Sequence, residues 1–192
     1  MPKTQLHIEL GGNYSFPEFL DLLHAIETIY DVEALPMVVR EISELTSGQV
    51  PLNLREKLDK DSRTRWLSKY PFAPWLPPLS RILREMPHIL GPERVMKISS
   101  IHLGSPGEMK IDLGLAEVAK ELRELFRWLT NGRTTDRLEN LERKIRILRD
   151  VGYPEEEIRK AMLRGDAALD RLLGFAKQQK LFLKRTEVID LK

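Results

Sequence analysis

The apolar residues of this chain recur with a period of two, then about 3.6, then two again, and that switching constrains its fold more than any other feature. Leu6, Ile8 and Leu10 alternate with Gln5, His7 and Glu9, the pattern of a half-buried strand. Gly11-Gly12-Asn13 interrupts it, and the period then lengthens. Phe19, Leu22, Leu23, Ile26, Ile29 and Tyr30 predict an amphipathic helix over 16–31. Ser15-Phe16-Pro17-Glu18 has the form of its capping box. Pro36 is expected to end or re-aim the chain, with Val38 to Leu45 as a separate helical stretch.

Alternation returns further on. Met96 and Ile98 share one phase, Ile101 and Leu103 the opposite one, so a bulge is predicted at Ser99-Ser100. Ser105-Pro106-Gly107-Glu108 fits a type II turn, which asks for a positive φ at Gly107. Met109, Ile111 and Leu113 complete a predicted β-hairpin, 95–103 with 108–113. The remainder reads as helical. Leu115, Val118, Leu122, Leu125 and Leu129 carry one stripe. Leu138, Leu141, Ile145 and Leu148 carry a second, and the two suit a coiled-coil-like pair joined over Asn131 to Thr135. Gly152-Tyr153-Pro154 opens a further helix at Glu155. Gly165-Asp166 is expected to separate it from a last helix, Ala167 to about Gln179. Lys180 to Lys192 fits either a final strand or a tail.

The fold class expected is α+β: a small sheet, made of the N-terminal strand plus a β-hairpin, packed with helices and followed by a helical C-terminal appendage. The division expected is an α+β domain over 1–130, holding a Pro/aromatic-rich insert at about 34–93, and a helical region over 131–192.

A chain of 192 residues that is 42% hydrophobic has the apolar share of a folded protein. With no cysteine it has neither disulfides nor thiolate chemistry. No apolar run approaches the roughly 20 residues of a membrane helix, and none of signal-peptide type follows Met1 to Gln5. A soluble, cytoplasmic protein is expected. The net charge of +2 conceals a division. Residues 1–54 hold two basic and eight acidic groups, and the remaining chain is correspondingly basic. The basic part can meet an anion such as nucleic acid. The two parts can also meet each other, within one chain or between copies.

Candidate functional residues are few. His7 and His102 both fall on predicted strands, and would form an acid–base or metal site if those strands were neighbours. Surface positions account for them as well. Ser105 is not in a nucleophile elbow, and no glycine cluster has the lysine and spacing of a phosphate loop. No cofactor or metal motif is present, so none is expected. The stretch Tyr70 to Pro78 packs four prolines and three aromatics into nine residues, which excludes a helix interior or a central strand. Trp66, Tyr70, Phe72 and Trp75, interleaved with Arg63, Arg65 and Lys69, suit a protein partner or, alternatively, nucleic acid.

Two resemblances attach to these residues. The order strand–helix–helix–strand–strand–helix is similar to that of KH-type RNA-binding domains, but Asp31 to Pro36 lacks the glycine loop with which that family holds nucleotides. The run Ile101-His102-Leu103-Gly104-Ser105-Pro106-Gly107, with Ile111 to Leu115, Glu117 to Leu125 and Arg146 to Glu157, resembles a pattern in uncharacterised bacterial proteins, cyanobacterial ones among them. Those have a strand, an SPG turn, a strand, a GLG-type step and a charged helix. This resemblance spans at most residues 98–160 and implies a bacterial intracellular protein without implying an activity. The segment from Asp150 to Ala161 is also similar to ubiquitin-associated three-helix modules.

The function expected is a non-enzymatic interaction, regulatory or adaptor protein. It self-associates or docks to a larger partner through Leu138, Leu141, Ile145, Leu148 and the Trp66–Trp75 segment. The alternatives are a nucleic-acid-binding accessory subunit using the basic residues of 55–192, and an enzyme with an unrecognised site.

Overall fold

The computed structural model describes residues 3–46, 76–102, 104, 106–131 and 135–189. It is an α+β fold. In chain order the described elements are β1 (Lys3–Leu10), α1 (Phe16–Thr46), α2 (Leu79–Leu90), β2 (Lys97–His102), β3 (Gly107–Leu113), α3 (Ala116–Asn131), α4 (Thr135–Val151), α5 (Glu155–Lys177) and β4 (Leu181–Ile189).

The strands form one antiparallel sheet in the order β2-β3-β1-β4. The predicted alternation is what seats it. Leu6, Ile8 and Leu10 of β1 and Met109, Ile111 and Leu113 of β3 are all buried, with Leu6 opposite Ile111 and Ile8 opposite Met109. Leu115, Val118, Ala119, Leu122 and Phe126, at the start of α3 and along it, belong to the same core. The last segment is a strand: β4 pairs along β1, so the C-terminal chain returns to the sheet. The predicted bulge is present, as the β2–β3 register shifts between Ile98 and Ser100.

The capping box forms as read. Glu18 N donates to Ser15 Oγ at 3.4 Å, and Ser15 N donates to Glu18 Oε2 at 2.8 Å. The helix it opens, however, runs through Pro36 to Thr46 instead of ending near 31. A proline inside a helix removes one backbone bond and crowds the preceding turn, at about 3 kcal/mol. Around it Ala34, Leu35, Val38, Val39 and Ile42 are all fully buried, and α1 is packed by each of the other four described helices. Burial of that many side chains, at roughly 1.5–3 kcal/mol for each large one, outweighs the proline.

Two glycine readings change for related reasons. Gly165 does not divide the C-terminal helix, because α5 is continuous from Glu155 to Lys177. Gly107 does not have a positive φ and lies in β3. What it supplies is space: a Cβ there would stand 3.1 Å from the His102 carbonyl oxygen and 3.2 Å from Leu10 Cβ.

The beginning of α5 also organises the beginning of α2. Leu79 N donates to Glu157 Oε2 at 2.9 Å, so a glutamate from a distant helix supplies a cap that α2 lacks in its own sequence. Tyr153 Oη donates to the Pro77 carbonyl at 2.9 Å beside it.

Candidate functional site

The two charge halves meet within the chain. Four carboxylates of the acidic helix α1 take cations from the basic remainder. Lys180 Nζ lies 2.7 Å from Glu18, Arg171 Nη1 3.0 Å from Asp21 and Arg94 Nη1 3.1 Å from Glu41, and Lys144 pairs with Glu33. The Lys180 ammonium, with the Ser15 N–H and hydroxyl, holds the Glu18 carboxyl down at about 2. Asp31 is the opposite case. Its carboxyl is pushed up to about 7 by burial and by the nearby Glu27, against the pull of Arg164.

The histidine pair comes apart. β1 and β2 do not pair, since β3 lies between them. His7 is not a surface residue either: it is 0% exposed, because its strand is interior to the sheet. Its Nδ1 lies 3.2 Å from Glu108 Oε1, while His102 stands across from Glu108 on the exposed strand β2. The sheet face they share is polar, and Gln5 Nε2 donates there to Asp112 Oδ1 at 2.7 Å and to Ser99 Oγ at 3.1 Å. Among the described residues no three His, Asp or Glu side chains group as metal ligands.

Three residues of the α4 stripe face inward. Leu148 is fully buried, and Leu141 and Ile145 pack against the core. Leu138 lies on the same helix. Trp66, Tyr70, Phe72, Trp75, Arg63, Arg65 and Lys69 fall outside the described residues. A cavity of about 800 Å³ opens between α1, α3, α4 and α5. Six of its charged side chains pair with one another: Lys144 with Glu33, Arg143 with Glu121 at 2.8 Å, and Arg127 with Glu124 at 3.3 Å. Nothing there selects a ligand of one charge.

The sheet edge is different. All six residues of β2 are exposed, and among the described residues β2 pairs with β3 alone. Ile98 is opposite Ile111 and Ile101 is opposite Met109, so both point to the apolar side of the sheet. Their partners are 0% exposed, yet Ile98 is 38% and Ile101 is 42% exposed. α3 packs chiefly over β1, β3 and β4.

No protein-family model, characterised protein or solved structure matches this chain.

Its surface is therefore read from its own residues. An edge strand presents a row of backbone N–H and C=O groups able to pair with another strand. Proteins blunt such edges with charge, and here only Lys97 is a fixed charge on the strand. The sequence signal for this site was the phase slip at Ser99-Ser100, which marks the bulge. No local signal says that the strand carrying it ends up uncovered.

Proposed function

We propose that the chain is a cytoplasmic, non-enzymatic protein-interaction module whose docking element is the open edge of its sheet. The observation that carries this reading is the exposure of Ile98 and Ile101 on the core side of an edge strand. A strand added there would satisfy the free backbone groups and cover both side chains. The nucleic-acid alternative is less well supported. Arg94, Lys144, Arg171 and Lys180, all in the basic part, are engaged by carboxylates of α1. Among the described residues no helix is long and apolar enough to cross a membrane.

Site-directed photo-crosslinking tests the reading. A benzophenone side chain at position 101 is compared in cells with one at Leu163, an equally apolar position that is 53% exposed on α5. Adducts of discrete mass from position 101 alone are expected. No discrete adduct, or the same pattern from both positions, overturns it.

A further inference from the structure

We infer that the strand received at this edge is β2 of a second copy of the chain, paired antiparallel across a two-fold axis; this rests on the docking reading above. The strand is close to a palindrome, Lys97-Ile98-Ser99-Ser100-Ile101-His102. Antiparallel pairing centred between Ser99 and Ser100 sets Ile98 opposite the partner's Ile101, and Ser99 opposite the partner's Ser100. Residues directly opposite in an antiparallel pair share a face. Each apolar side chain thus meets an apolar one on the core side. Lys97 stands opposite the partner's His102 at each end of the pair.

The near-palindrome favours this partner over an arbitrary extended peptide. In a regular strand, residues three apart point to opposite faces. Ile98 and Ile101 reach one face only because Ser99 is the extra residue in the register. Ser99 Oγ secures the irregularity by donating to the Lys110 carbonyl at 3.2 Å. A regular strand with apolar groups two apart also sits opposite both isoleucines, as Met109 and Ile111 of β3 do on the inner side. It is therefore the self-complementary order Lys-Ile-Ser-Ser-Ile-His that singles out a second β2. A second β2 carries the same bulge and the same spacing of three. The bulge that discourages indiscriminate edge pairing is compatible with a strand that has its own.

Two six-residue strands cover less than the roughly 1,200–2,000 Å² of a stable interface, so the dimer is of the transient class. A dissociation constant in the range of about 10–300 μM is expected.

Sedimentation equilibrium up to about 1 mM reads the association. Ile98→Lys/Ile101→Lys sets like charges opposite each other twice and should weaken it at least about tenfold. Both side chains are exposed, so the thermal melt of the dilute variant should match wild type. The second measurement is independent of that variant. The chain has no cysteine, so thiols can be placed singly. An Ile98→Cys chain mixed with an Ile101→Cys chain should form the mixed disulfide faster than either forms its own. Like positions lie three residues apart along the pair, about 10 Å, beyond disulfide reach. A monomer at 1 mM overturns the second copy as partner. If position 101 still gives discrete adducts to other proteins, the docking reading survives that result. A dimer that the double lysine variant leaves intact, or disulfides formed equally between like and unlike positions, overturns the edge-to-edge pairing.

Discussion

Val32 of α1 and Gly165 of α5 touch so closely that a Cβ on residue 165 would stand 3.1 Å from Val32 Cγ1. The two helices meet at a position where only hydrogen fits without displacement. Farther along the same pair, Arg171 reaches Asp21. Gly165→Val should therefore destabilise the fold by about 1–3 kcal/mol, despite removing a glycine from a helix. Urea titration measures it. A stability equal to wild type would show that the helices separate freely here.

Lys144 and Glu33 form an ion pair whose side chains are 10% and 14% exposed. Removing one member leaves the other charge poorly solvated, which costs about 3–5 kcal/mol in buried pairs. Lys144→Met and Glu33→Leu should each destabilise, and the double variant should recover at least about 1 kcal/mol against the sum. Additive effects in a double-mutant cycle would show that the two charges are solvated separately.

Asp31 gives stability a pH dependence of defined sign. Its carboxyl rises from an ordinary 3.8 to about 7 in the folded chain, chiefly through burial. The folded state then holds a proton that the unfolded state has released, so this group's contribution falls as pH rises between those values. Asp31→Asn should leave stability unchanged near pH 4 and raise it by roughly 4 kcal/mol at pH 8. Guanidinium titrations of both proteins at several pH values test this. A constant difference across that range would contradict it.

Gly114 follows β3, and a Cβ on it would overlap the Glu93 carbonyl oxygen and lie 2.5 Å from Arg94 Cα. Both obstacles are backbone, and Arg94 is held by Glu41 and by the Tyr30 hydroxyl on its carbonyl. Gly114→Ala should cost about 3 kcal/mol or more, above the effect of Gly165→Val. Thermal melts of the two variants side by side would show the order, and a mild effect at Gly114 would mean that the turn before β2 gives way.

The elements were legible where the cause was local. The alternation at Leu6, Ile8 and Leu10 and the Ser15–Glu18 box need only their own neighbours along the chain, and both form as read. The phase slip at Ser99-Ser100 revealed the bulge for the same reason. Lys180 to Lys192 stayed ambiguous because a strand needs a partner, and β1 is about 180 residues away in sequence.

Periodicity tells which face a side chain takes; it does not tell what covers that face. Sequence alone determined an α+β chain with a bulged hairpin, an acidic first helix and a basic remainder. Tertiary packing decided the rest. Surrounding helices carry α1 through Pro36, and close approach to Val32 makes Gly165 a contact instead of a break. The interior place of β1 buries His7, and the outer place of β2 leaves Ile98 and Ile101 in water. In each case the deciding free energy comes from groups distant in sequence, whose positions a local pattern does not encode.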